Sequence, residues 1–307
     1  MATATDVLVR AQHIAVKVRA GVRRFGLRTT AIGAAHLLWL RIRRPAESHV
    51  RVDTGAARPL DFRFGCPRQV MPALVVFRAF TEPEFDLLRR VLQPGSTFFD
   101  VGGGIGTYAV TAATLVDGPV HVFEPTSESA AMIRRNALVN RVGDKIEVNQ
   151  VALSDAVGYS TIVSGHNTFT NNVGTVTEAP AYDDDATVTV TTLDAFCAAR
   201  GIEHVDMLKV DVAGYEPMVV AGAERMLSEG RVDLVTLELS LRFLDTYRQL
   251  LRHGYRFFYC EDGNLLPVSN LDPGTLINER PSVFTVNIVA ALETAIPRLQ
   301  RLGIDCG

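Results

Sequence analysis

The 307-residue sequence predicts an α/β fold built on a parallel sheet, and three observations carry that prediction. Short apolar runs at residues 97–101, 120–123 and 146–151 alternate with segments of helical spacing at 107–116 and 127–140. This β–α–β–α–β order is that of a parallel sheet with crossover helices. The first run, TFFDV, passes directly into GGGIG, so a glycine turn joins strand to helix at residues 102–106. Later apolar runs end in single carboxylates, Glu124, Asp211 and Glu238. In such sheets ligands collect at the carboxyl ends of the strands. Hydrophobic residues make up 47% of the chain and charged residues 21%, which fits a globular protein and excludes a disordered one.

Taken in order, residues 1–44 form a basic, helical N-terminal extension. Val, Ile, Leu and Ala alternate there with arginines at roughly helical intervals, and nine basic side chains stand against Asp6 alone, a net +8. The whole chain carries −3, so the remainder carries −11. A basic end on an acidic body implies a partner for that end, either the body itself or an anionic membrane surface. No nucleic-acid-binding motif accompanies the charge, so nucleic acid is not expected as a partner. The most apolar part, residues 31–42, is too short and too charged to span a bilayer and lies too late for a signal peptide. Two readings stay open for residues 5–44: helices packed on the body, or an amphipathic segment in peripheral contact with a membrane.

Residues 45–79 read as a connecting segment with a hairpin, from the alternation of Val50 and Val52, then Leu60, Phe62 and Phe64. The main domain is expected over residues 80–290. Thr81 can cap a helix that runs through Leu92, with Pro83 in its first turn and Glu84 at its positive end, and Pro94-Gly95 stops it. Ser127 is the expected cap of the second crossover helix. Residues 156–187, rich in Ser, Thr, Asn and Gly, break the alternation and read as a long loop or irregular hairpin, where His166, Asn167 and Asn172 are candidate contacts for a hydroxylated substrate. A helix to Arg200, a strand over 205–210, a helix from Glu216 to Leu227, a strand over 232–237, a helix over 246–253, and strands over 256–259 and 282–290 complete the domain. Residues 291–307 hold a C-terminal helix interrupted at Pro297. Cys66, Cys197, Cys260 and Cys306 are widely spaced, which suits reduced thiols in a cytoplasmic protein better than a disulfide frame or a zinc site.

The glycine turn is the centre of the expected site. Asp100, Gly102, Gly104 and Gly106 give Asp-x-Gly-x-Gly-x-Gly, and Thr107 stands where the dinucleotide fingerprint needs glycine or alanine. Asp100 is suited to meet a cation such as the amino or sulfonium group of S-adenosyl-L-methionine, and the helix N-terminus beyond the turn offers free N–H groups. Glu124, followed by Pro125, is suited to accept both ribose hydroxyls, while Ala152 and Leu153 would wall an adenine with Ser154 or Asp155 at its edge. A nucleotide or nicotinamide cofactor remains the alternative. Asp211 at the end of the fourth core strand is expected to be a buried functional carboxylate. It is the first candidate for the base or substrate anchor, with His166 and Glu238 as further catalytic candidates. No dedicated metal site is read from the sequence; a magnesium ion held by Asp211 and Glu238 is the alternative means of lowering a hydroxyl pKa.

With these strand ends in place, the motifs FDVGGGIGTY, VFEP, VALSD, TLDAF, MLKVDVAGYE, LVTLEL and LLRHGYRFF resemble those of the FkbM family of S-adenosylmethionine-dependent methyltransferases over roughly residues 80–290. The resemblance implies a class I methyltransferase (Rossmann-like) sheet with helices on both faces. It also implies O-methylation of a hydroxyl on a sugar, glycolipid or secondary metabolite. The family pattern has a glutamate where this chain has Ala213, leaving Asp211, Glu216 and Glu238 as nearby carboxylates, and Ala-Asn where it has Gly103-Gly104. A cofactor-binding protein without turnover is the reading that Ala213 keeps open.

Overall fold

The computed structural model describes residues 4–54, 58–163, 172–173, 176–177 and 187–307. His166 and Asn167 lie outside the described residues. Two helices, α1 (Ala4–Phe25) and α2 (Leu27–Arg43), open the chain and break at Gly26, whose φ of 88° suits glycine. The expected hairpin follows as antiparallel β1 (Glu47–Val52) and β2 (Leu60–Gly65), then a helix that the sequence did not signal, α3 (Pro72–Phe77). Asn136 fixes the hairpin to the body by accepting from the Arg63 N–H and donating to the Arg63 carbonyl, at 2.7 and 3.0 Å.

The core strands are β3 (Phe98–Val101), β4 (Val120–Phe123), β5 (Ile146–Asn149), then β6 (Ala152–Leu153), β7 (Gly158–Val163), β8 (Asn172–Val173), β9 (Thr187–Thr191), β10 (Val205–Val210), β11 (Val232–Glu238), β12 (Tyr255–Glu261), β13 (Asn264–Pro267) and β14 (Asn287–Leu292). The main sheet has eight strands in the order β13-β12-β14-β11-β10-β3-β4-β5. β11, β10, β3, β4 and β5 run parallel, and β14 joins antiparallel between β11 and β12. This is the expected α/β, class I methyltransferase-type sheet, mixed through β14 and the edge strand β13.

Side chains alternate between two cores, which is why the strands read as continuous apolar runs. Phe98, Met207, Leu234 and Val289 pack on one face with Val110 and Ile133 of the crossover helices Thr107–Ala113 and Ser127–Val139. Phe99, Leu208, Val235 and Ile288 pack on the other with Phe196, Val219 and Leu250. Helices therefore cover both faces.

Three local expectations change. The strand expected over 146–151 ends at Asn149, and the next strand, β6, leaves the main sheet to pair with β9 in a second sheet of order β6-β9-β7-β8. The described part of the 156–187 segment follows the hairpin alternative, with β7 antiparallel to both β8 and β9. The helix expected from Glu216 to Leu227 is two, Glu216–Ala221 and Glu224–Ser228, parted at Gly222, where a Cβ would stand 1.8 Å from the Ser154 carbonyl. The last strand starts only at Asn287, since Ser282 folds back to accept from the Phe284 N–H at 3.0 Å. No helix among the described residues is long and apolar enough to cross a membrane.

Candidate cofactor site

At the carboxyl ends of β3, β4 and β10 the structure has a cavity of about 90 Å³. Gly102, Gly104, Glu124, Pro125, Ala152, Leu153 and Asp211 line it, so seven of the expected site residues converge there. The glycine turn lies this low because nothing larger fits. Gly102 has φ 80°, and a Cβ on it would stand 2.0 Å from the Asp211 carbonyl oxygen, so the turn rests directly on the end of β10.

Glu124 is the polar centre of the cavity. Its Oε1 accepts from the Thr126 N–H at 3.0 Å and the Thr126 hydroxyl at 2.7 Å, and its Oε2 accepts from the Gly104 N–H at 3.2 Å. Burial raises its pKa against those three donors, which favour the ionised form. Each carboxylate oxygen accepts about two hydrogen bonds, so Oε2 keeps acceptor capacity for a ligand hydroxyl. Thr126 also corrects the capping expectation: it, not Ser127, holds the N-cap position of the helix Ser127–Val139, and its hydroxyl is spent on Glu124.

Across the cavity, Ala152 and Leu153 form an apolar wall continued by Val151 and Ile162. Val212, Ala213 and Tyr215 also line it; sequence reading did not place Val212 or Tyr215 at the site, because they follow Asp211 in a loop without periodicity. In that loop Ala213 is left-handed with φ 56°. Glu216, offered as a stand-in for the family glutamate, is buried and accepts from the Val212 N–H at 2.9 Å, so it shapes the loop from below.

Asp100 does not line the cavity. It is 1% exposed, accepts from the Ala109 N–H at 3.2 Å, and its Oδ1 lies 3.3 Å from Lys209 Nζ. The reason is register: Lys209 and Asp100 are partners across parallel β10 and β3, so the lysine meets the carboxylate before any ligand can. Burial raises the Asp100 pKa and Lys209 opposes that rise. Burial also disfavours the ammonium of Lys209, but Asp100, Asp211 and Glu82 outweigh it and hold the pKa above the ordinary lysine value. Lys209 further reaches Asp211 Oδ2 at 3.4 Å and lies 4.8 Å from the centre of the Tyr108 ring, whose hydroxyl donates to Glu82 at 2.7 Å. Sequence reading had Lys209 in its strand but not its partners, which only the fold brings together.

Asp211 itself is 61% exposed at the side chain, so the expected buried carboxylate is an open one, steadied by Lys209. Gly106, left-handed with φ 84°, and buried Thr107 sit behind the cavity where the helix Thr107–Ala113 begins. Glu238, exposed at the end of β11, also stays outside the lining; partial burial and the charge of Asp211 raise its pKa. Among the described residues, His204, Asp206 and Asp233 group closely enough to hold a metal, but at the amino ends of β10 and β11, where Arg298 already pairs with both carboxylates.

A glycine turn at the end of β3, a buried carboxylate with spare acceptor capacity at the end of β4 and an apolar wall beyond are the parts that the sequence reading expected of a class I methyltransferase site. Residues 100–257 match the family described as the methyltransferase FkbM domain, and the chain belongs to that family. It is 31% identical over 161 residues to the 31-O-demethyl-FK506 methyltransferase FkbM of Streptomyces tacrolimicus, covering 43% of this chain and 61% of that one. A ribosomal protein L11 methyltransferase of Bacillus velezensis is 34% identical over 70 residues, 23% of this chain and 22% of that one. Among solved structures, the methyltransferase FkbM of Methylobacillus flagellatus KT aligns with a TM-score of 0.41 at 15% identity, over 72% of this chain and 53% of that one. The chain thus spans less than two thirds of the length of these relatives.

Proposed function

We propose that the protein is an S-adenosyl-L-methionine-dependent O-methyltransferase acting on a hydroxyl of a sugar, glycolipid or secondary metabolite. The observation that carries this reading is Glu124, held by three donors with acceptor capacity left on Oε2, between a glycine turn that a Cβ would fill and the apolar wall of Ala152 and Leu153. Glu124 would hold the ribose hydroxyls of the cofactor, and Ala152 and Leu153 its adenine. When bound, the cofactor supplies an electrophilic methyl group on a sulfonium.

The chain's own share is positioning and proton handling. Asp211, open to solvent at the cavity edge and anchored by Lys209, is the group that orients the acceptor hydroxyl and takes its proton. Such a base contributes on the order of 10²–10⁴-fold, while alignment supplies most of the remaining acceleration. The Streptomyces tacrolimicus relative is named for an O-demethylated substrate, which supports an oxygen acceptor.

Calorimetric titration with S-adenosylmethionine, S-adenosylhomocysteine and NAD tests the cofactor. Binding of the first two without NAD is expected, and binding of NAD alone would overturn the reading. Glu124→Ala removes a charged hydrogen-bond acceptor and is expected to weaken S-adenosylhomocysteine binding by about 10–100-fold. Ala213, at the position of the family glutamate, favours one second reading, cofactor binding without turnover. Methyl transfer gained in Ala213→Glu supports that reading; turnover already present in the unaltered chain excludes it.

A further inference from the structure

α2 contributes no residue to the lining of the cavity at the strand ends, and its outward face is apolar. Its inner face is committed to the body: Thr30 and Leu40 are buried, and Gly33 packs so closely on α3 that a Cβ would stand 2.0 Å from the Val76 carbonyl oxygen. The opposite face ought then to be polar, as on an ordinary surface helix. Instead Leu27, Leu38 and Ile42, which share one helical stripe, are 71%, 58% and 69% exposed, with Ala31 and Ala35 exposed between them. Ile32 and Trp39 extend the stripe, at 48% and 47% exposure.

The charges on this helix have one sign. Arg28, Arg41 and Arg43 are exposed beside the stripe, α2 contains no acidic residue, and among the described residues none of the three has an ion-pair partner. The preceding helix adds exposed Ile14, Val16 and Arg19. An apolar stripe flanked by arginines, with a tryptophan at its margin, has the chemistry of a helix lying in the interface of an anionic bilayer. A second copy docking face to face would set two such arginine rows against each other, which disfavours self-association through this surface.

We infer that α2 is a membrane-docking element that seats the protein on a bilayer containing anionic phospholipid. Leu27, Leu38 and Ile42 enter the acyl boundary, Trp39 sits at the headgroup level, and Arg28, Arg41 and Arg43 meet lipid phosphates. A groove beside α2, lined by Leu37, Leu40 and Val70 with Arg41 and Arg44 among its walls, gives a headgroup a second place to lodge.

Trp39 is the only tryptophan in the chain, so its fluorescence reports on this face alone. Vesicles of phosphatidylcholine with about 30% phosphatidylglycerol should shift its emission to the blue and carry the protein down on sedimentation, while vesicles of phosphatidylcholine alone should do neither. Each arginine near such a surface is worth about fivefold in binding, so the triple variant Arg28→Gln, Arg41→Gln, Arg43→Gln should bind about 100-fold more weakly. Leu38→Glu with Ile42→Glu should abolish the shift. These positions are exposed, and an unchanged melting temperature in each variant verifies the fold. Failure to bind anionic vesicles, or binding that both variants retain, would overturn the inference. So would the same blue shift on concentrating the protein without lipid, with a doubled mass by light scattering, which would assign the face to a second copy.

Discussion

Lys209 carries its ammonium into the core between two carboxylates, and this sets what Asp100 does. Asp100 acts through Lys209, which in turn steadies Asp211 at the cavity edge. Replacing one member of a buried ion pair leaves the other charge under-compensated, at a cost of about 3–5 kcal/mol. Asp100→Asn is therefore expected to lower stability in urea by about 3 kcal/mol, at the lower end because Asp211 still faces the lysine. A variant as stable as the parent but unable to bind cofactor would instead return Asp100 to direct ligand contact. Glu124 is the contrasting case: its place at the end of β4 was readable from VFEP alone, since a strand end needs no distant partner to aim its side chain into a cleft.

At the scale of elements, the break between the helices Glu216–Ala221 and Glu224–Ser228 is a packing feature. Gly222 lets the Ser154 carbonyl, just past β6, approach where any Cβ would collide. Gly222→Ala is expected to cost about 2 kcal/mol through overpacking and to weaken cofactor binding by displacing the Ala152-Leu153 wall. Parallel measurements of urea stability and S-adenosylhomocysteine affinity check both halves. The same contact explains why the break was not legible: helical spacing continues through Leu227, and only a strand some seventy residues earlier in the chain forbids a continuous helix. The strands β3, β4, β10 and β11 were legible because burial on both faces writes them as unbroken apolar runs. The division of residues 146–153 between two sheets was not, because it depends on pairing with β9 across the whole 156–187 segment. Residues 282–286 have the alternation of a strand, but local side-chain to backbone bonding at Ser282 wins.

For the molecule as a whole, the buried acid Glu84 ties stability to pH. It has no exposed surface, and burial followed by the charge of Glu82 pushes its carboxyl up to about 8 from an ordinary 4.5. Between those values the folded protein holds a proton that the unfolded chain releases. Its contribution is complete below about 4.5 and is lost as pH rises to about 8, by about 1.4 kcal/mol per pH unit. From about pH 6 to about pH 8 the unaltered protein should lose about 2 kcal/mol more than Glu84→Gln in urea denaturation; equal losses would show that Glu84 is already ionised in the folded state. Charge also acts at long range. With +8 in residues 1–44 and −11 in the rest, the protein is an electric dipole whose positive pole includes α2. In the field of a negative surface such a body turns before it touches, so that it arrives helix first. For the docking inferred for α2, the arginines would govern the rate of landing as well as its strength, and salt, by shortening the reach of the field, would slow arrival before it loosens attachment.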